Sequence, residues 1–134
     1  MTTFTTITSP ELAVPNGHFA QAISIDTPTR LVFISGMTAR TADGSIAGIG
    51  DIVEQTHQVC RNLRAAIVAA GGTLEDIVRV DVFVRDITAF DDIHAVRRQY
   101  FVGEPPASTM VEVSRFVHEE YLIEINAIAG IATP

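Results

Sequence analysis

The sequence predicts an α+β fold in which two helices cover one side of a four- or five-stranded sheet. Three observations lead there: apolar residues at helical spacing over 51–70 and again over 88–101, two-residue alternation over 77–85, and short β-branched runs bounded by Gly, Pro, Asn and Asp. With 134 residues, 47% of them hydrophobic and 19% charged, the chain has the length and apolar content for one core. We expect one domain spanning 1–134.

Thr, Pro, Asn and Gly in residues 1–18 favour turns and leave at most one short strand before Pro10. Residues 19–25 are a strand candidate. Residues 26–30, with Pro28 among them, read as a hairpin-like connection to a strand at 31–35, and 36–50 reads as an extended loop. Asp51 with Glu54 resembles a capping box, and Ile52, Thr56, Val59, Cys60, Leu63 and Ile67 then recur on one helical face. Gly71-Gly72 supplies the left-handed stop.

From 77 to 85 the period becomes two, placing Val78, Val80, Val82 and Val84 on one side and Arg79, Asp81, Phe83 and Arg85 on the other. Thr88 is placed to cap a second helix, whose buried stripe is Phe90, Ile93, Val96, Arg97, Tyr100 and Phe101. Pro105-Pro106 ends it. Strands at 109–114 and 122–130 complete the order β, β, α, β, α, β, β.

Two helices on one side leave the other side of the sheet open to solvent or to another subunit. If the valine side meets the helices, Arg79, Asp81 and Phe83 occupy the open face, and by pairing logic Met110 with Glu112, and Glu124 with Leu122 and Asn126, line it too. A face mixing large apolar side chains with isolated charges reads as a subunit interface, and such interfaces often hold active sites.

All nine basic residues are Arg; the chain contains no Lys. That removes Schiff-base chemistry through a lysine and any P-loop lysine. A net charge of -7 disfavours nucleic acid as a partner. One Cys excludes an intramolecular disulfide, and four scattered His show no metal-ligand spacing, so we expect neither structural metal nor cofactor. No apolar run is long enough to span a bilayer, and residues 1–15 lack the basic start of a signal peptide, so a cytoplasmic protein without membrane contact is expected.

Glu124 lies in the apolar run Leu122-Ile123-Glu124-Ile125-Asn126-Ala127-Ile128, where a charged carboxylate needs compensation. It is either half of a structural ion pair with an Arg such as Arg79, or a general base whose pKa burial raises. His94 is a pocket candidate whose simpler reading is a satisfied, partly buried histidine. Cys60 reads as a small core hydrophobe. The glycines at 36, 44, 48 and 50 form no nucleotide-binding pattern and read as turn formers, and Arg97-Arg98 reads most simply as a solvated basic patch, the alternative being a role in docking an anionic group.

Four stretches are similar to the Rid family, also called the YjgF family, of enamine and imine deaminases. They are Gly17-His18-Phe19-Ala20-Gln21-Ala22, Val32-Phe33-Ile34-Ser35-Gly36, Asp51-Ile52-Val53-Glu54-Gln55-Thr56, and Val111-Glu112-Val113-Ser114-Arg115 followed by Ile123-Glu124-Ile125. The likeness runs from about residue 15 to residue 130. It implies a chorismate-mutase-like fold and a homotrimer with a central β-barrel, helices outside and active sites in the clefts between subunits.

The resemblance also implies roles. Glu124 matches the glutamate that positions or activates the hydrolytic water, and Ser35-Gly36 matches a pair lining the pocket. Phe19 stands where many members have Tyr, His94 where many have Asn, and Ser108 where an arginine typically clamps a substrate carboxylate. Met110, beside Ser108, completes the pocket candidates. The stretch from Ser35 through Arg40 to Gly48 looks like the corresponding loop of the 2-aminomuconate deaminase branch, which makes Arg40 a candidate contact for an anionic group. The activity implied is hydrolysis of a small enamine or imine to a keto product and ammonia; the alternative is a non-catalytic trimer that binds a ligand or another protein.

Overall fold

Local sequence and strand register together place the two helices and a four-stranded sheet around one apolar layer. The computed structural model describes residues 4–26 and 29–132. Two short strands, β1 (Phe4–Ile7) and β2 (Ala22–Ile25), pair antiparallel as a separate ribbon. Four others, β3 (Thr29–Met37), β4 (Ile77–Val84), β5 (Ala107–Glu112) and β6 (Ile123–Ala132), form the main sheet in the order β3-β6-β4-β5. β5 runs parallel to β4, while β6 is antiparallel to both its neighbours. Helix α1 (Ile52–Ala69) lies across β3 and β6, and α2 (Phe90–Tyr100), the crossover between the parallel pair, packs on α1.

The core is the layer between α1, α2 and the inward residues of the strands. Leu63, Ile67 and Ile93 from the helices meet Val80, Val82, Val84, Ile123 and Ile125 from the sheet, all fully buried. Each such side chain contributes about 1.5–3 kcal/mol by leaving water. Cys60 is in the same cluster, and burial pushes its thiol up to about 12, so it is a neutral packing group as its sequence context implied. Among the described residues no helix is long and apolar enough to cross a membrane.

Helix α1 starts and stops where the sequence indicates, with one difference at its N-terminus. Asp51 accepts a bond from the Glu54 backbone N–H at 3.1 Å. The reciprocal half of the capping box is not formed, because the Glu54 carboxylate turns to Arg61 at 3.0 Å and the Asp51 N–H donates to the Gly48 carbonyl instead. Gly71, at φ +92°, makes the left-handed stop.

Several expectations are corrected. β2 and β3 are not a hairpin: β2 pairs with β1 and β3 with β6, and the connection through Thr27 and Pro28 lies outside the described residues. A register shift between Ile77 and Arg79 makes Ile77, not Val78, the first β4 side chain in the central cluster. Thr88 does not cap α2; Asp86 accepts from the Thr88 N–H and hydroxyl in a short 3-10 turn that leads into the helix.

Register also divides the two faces of the sheet. Val82 pairs with Met110 and Val84 with Glu112, so Met110 lies on the helix-covered face and packs against the core, contrary to the open-face assignment for both residues. Glu112 instead accepts from the Ile87 N–H at 3.1 Å. The open face carries Arg79, Asp81 and Phe83 as expected, and Phe33 joins it opposite Ile128. Phe33 is 72% exposed and its face neighbour Leu31 51%, large apolar surface left uncovered by this chain.

Candidate functional site

A bulge and a missing side chain create the central feature of the site. Between Ile34 and Met37 β3 carries one residue more than β6, so the extra residue falls at Ser35-Gly36, beside Glu124. A Cβ on Gly36 would collide with the Glu124 side chain, meeting its Cδ at 2.8 Å and its Cγ at 3.0 Å. Gly36 is therefore the space in which the glutamate lies. Among the described residues no hydrogen-bond or ion-pair partner reaches the Glu124 carboxylate.

The ion-pair reading of Glu124 is thus not met: Arg79 bonds Asp81 at 2.7 Å and the Thr109 hydroxyl at 2.7 Å. Glu124 tolerates its apolar strand because it is only half-buried, at the edge of a cleft of about 880 Å³. Gly36, Arg40, Asp43, Asn62, Tyr121 and Glu124 are among the residues lining that cleft.

Helix α1 holds both walls of the cleft. The Asn62 amide donates to the Thr38 carbonyl at 2.9 Å and the Arg40 carbonyl at 2.8 Å, securing the loop that follows β3. Gln55, fully buried, donates to the Gly48 carbonyl at 3.2 Å and the Glu120 carbonyl at 2.8 Å and accepts from the Leu122 N–H at 2.9 Å. It thereby sets the start of β6 and, two residues on, Glu124. The loop is stiffened by Asp43, which accepts from the hydroxyls of Thr41 at 2.6 Å and Ser45 at 2.7 Å. Those bonds, with one from the Ser45 N–H, hold the Asp43 carboxyl down at about 2. Gly44 and Gly48 adopt positive φ there, the turn role their sequence suggested.

The sequence-predicted residues fall into two groups. Gly36, Arg40 and Glu124 share the cleft, with Ser35 exposed beside them at the bulge. Phe19, His94, Ser108 and Met110 belong instead to the other edge of the sheet, where the segment before β2 meets α2 and β5. There Ala20 donates to the Pro106 carbonyl at 3.0 Å, and Gly17 lies against His94, with 2.8 Å from a notional Cβ to Nε2.

His94 is buried, stacks on Phe90 at 3.8 Å between centroids, and donates from Nδ1 to the Phe90 carbonyl at 3.0 Å. Burial lowers its pKa below the ordinary histidine value, against the pull of that bond. The ring is neutral, with its Nε2 lone pair toward Gly17.

Arg97 overturns the solvated-patch reading of Arg97-Arg98. Arg98 is exposed, but Arg97 is 1% exposed, following the helical stripe rather than its charge. Its Nη2 donates to the Ser108 hydroxyl at a long 3.3 Å, and its Nε–H has no partner. Burial lowers its pKa to about 10, so it stays charged at neutral pH, at a desolvation cost of several kcal/mol. Sequence reasoning also missed Gln55 and Asn62 as organisers; the apolar neighbours of Gln55 on the helical face were the available signal for its burial. Among the described residues no group of three His, Cys, Asp or Glu side chains is arranged to hold a metal ion.

With this geometry in place, comparison with known proteins is direct. The family described as Endoribonuclease L-PSP matches residues 10–131. A RutC family protein of Pyrococcus abyssi is 36% identical over 86% of this chain and 87% of its own length. Among solved structures, YyfB of Yersinia pestis, a protein of the Rid family, superposes with a TM-score of 0.85 at 30% identity, covering 94% of this chain and 97% of that one. Rv2704 of Mycobacterium tuberculosis, of the YjgF/YER057c/UK114 family, gives a TM-score of 0.67 at 32% identity, covering 84% and 86%. The fold, the matched span and the identity over most of both chains agree: this chain belongs to the Rid/YjgF family.

Proposed function

We propose that the cleft hydrolyses an enamine or imine of a small carboxylic acid, with a 2-aminomuconate-like acid among the candidate substrates, to the keto compound and ammonia. The observation that carries this is Glu124: a carboxylate with no partner among the described residues, seated over Gly36 at the edge of a cleft large enough for a small acid and its water. An unpaired carboxylate at such a position is available as a proton acceptor.

An enamine first takes a proton on carbon and becomes the iminium, whose carbon is electrophilic. Glu124 orients a water molecule and accepts its proton as the oxygen bonds to that carbon, giving a carbinolamine. The proton is returned to nitrogen, the C–N bond breaks with its electron pair leaving on ammonia, and the hydroxyl gives its proton to solvent as the carbonyl forms, balancing the proton first taken up on carbon. One water is consumed and no covalent bond to the protein is made.

We further propose that the protein works as a homotrimer. The two groups of site residues lie toward opposite edges of the sheet, and the open face displays Leu31 and Phe33 as uncovered apolar surface. Association through that face would bury it and set the α2–β5 end of one copy beside the cleft of the next. The test is ammonia release from 2-iminopropionate, generated in place, and from 2-aminomuconate. Release above the uncatalysed rate from either is expected. No release from both would leave the protein a binding trimer and reject the deaminase reading.

A further inference from the structure

Tyr121 is 7% exposed, yet it lies outside the central core cluster and lines the cleft that Glu124 borders. Its hydroxyl has no hydrogen-bond partner among the described residues. Nor is that oxygen sealed in: among the described residues, Arg97 Nε is the one side-chain polar atom both shut off from solvent and unpartnered. The phenol oxygen therefore keeps a share of the open space that its residue lines, which is the cleft. Gln55 fixes the position by gripping both neighbours, donating to the Glu120 carbonyl at 2.8 Å and accepting from the Leu122 N–H at 2.9 Å. The Tyr121 N–H donates to the His118 carbonyl at 3.2 Å, and the His118 ring lies against the phenol at 5.5 Å between centroids. A ring so held loses little freedom when its hydroxyl meets a ligand.

The other polar side chains of the cleft are poor sources of a proton. Asn62 spends both amide hydrogens on the Thr38 and Arg40 carbonyls, and the Asp43 carboxylate is engaged by hydroxyls of its own loop. The Thr38 hydroxyl and the Arg40 guanidinium belong to the more exposed wall, and neither an alkyl hydroxyl nor a guanidinium gives up a proton readily. A phenol does, and it is among the groups that serve as general acids. Hydrolysis of an enamine calls for such a group: Glu124 accepts a proton from water, whereas the carbon must first receive one.

We infer that the Tyr121 hydroxyl is the acid that protonates the enamine carbon, so that the cleft pairs a tyrosine donor with its glutamate acceptor and takes enamines as well as imines. This role rests on the deaminase reading. The C=C electron pair takes the phenolic hydrogen and forms a C–H bond, the O–H pair stays on oxygen, and the nitrogen lone pair completes the C=N bond of the iminium. The phenolate regains a proton from solvent, which receives one from the carbinolamine hydroxyl as the carbonyl forms, so protons balance.

The test compares 2-aminomuconate, an enamine, with 2-iminopropionate, already an imine, in wild type and Tyr121→Phe. Phenylalanine keeps the ring, and because the hydroxyl bonds nothing in the fold, the melting temperature should stay within about 2 °C of wild type. For 2-aminomuconate, kcat should fall about 100-fold with KM little changed. Hydrolysis of 2-iminopropionate, which needs no proton on carbon, should stay within about twofold of wild type. An equal loss on both substrates would mean a packing or binding role, a raised KM at unchanged kcat a contact only, and a lowered melting temperature a hydroxyl that serves the fold; each overturns the assignment. An unchanged 2-aminomuconate rate in Tyr121→Phe, or a wild type that acts on 2-iminopropionate alone, overturns it too and leaves the deaminase reading standing. Where 2-aminomuconate alone is turned over, the split between kcat and KM decides. No ammonia from either substrate with wild type rejects the deaminase reading and this role together.

Discussion

Glu124 and Gly36 occupy one another's space: the glutamate side chain fills the volume a Cβ on residue 36 would take. Because the obstacle is the far part of a flexible side chain, Gly36→Ala should displace the carboxylate rather than unfold the sheet. Gly36 does not have a positive φ, so alanine brings no backbone strain. We expect turnover to fall about 100-fold, as for a catalytic group shifted by about an ångström, with a stability change under about 1 kcal/mol. Ammonia release and a urea titration check both; full activity in Gly36→Ala would mean that the position of Glu124 is not critical.

Glu124→Gln keeps the shape and removes the proton acceptor. Loss of general-base catalysis should lower turnover about 100-fold or more. Because Arg79 already has Asp81, no cation is orphaned by the change, and stability should hold. Had Glu124 been half of a buried pair, the loss would be about 3 kcal/mol. Full activity in a destabilised variant would reject the catalytic assignment.

Phe33→Arg tests assembly. The ring stands on the open face opposite Ile128, 72% exposed in the single chain. A charge there should convert a particle near three times 14.5 kDa into one near 14.5 kDa on sedimentation, and ammonia release should fall with it. A variant that sediments as wild type would place the interface elsewhere.

His94 gives a pH signature. Its folded pKa lies below the ordinary histidine value, chiefly through burial, so on acidification the unfolded chain takes up the proton first. Stability from this group is therefore complete above about pH 6.5 and is lost as pH falls through the lower folded value. The urea midpoint of wild type should decline in that window, and His94→Gln should lack that part of the decline. A constant difference between the two proteins across pH would contradict the assignment.

Elements governed by local pattern were legible in the sequence. Helix α1 with its Gly71 stop, the alternation of β4 and the one-sided placement of the helices all follow from spacing alone. Register was not legible, which is why Met110 was placed on the wrong face and β2 was joined to β3: pairing is decided by partners distant in the chain. Glu124 was readable because a charge in an apolar strand is conspicuous. Arg97 gave two opposed signals, a helical stripe that buries it and a charge that suggests solvent, and burial prevailed. Which of the candidate residues share the cleft depends on three-dimensional proximity, a property no local window contains.

The two amides that secure the cleft, Gln55 and Asn62, sit seven residues apart on α1, about 10 Å along its axis. That interval acts as a ruler for the opening. The Arg40 wall hangs from one mark and the Glu124 wall from the other, so the mouth cannot widen by a hinge in either loop unless one of these amides lets go.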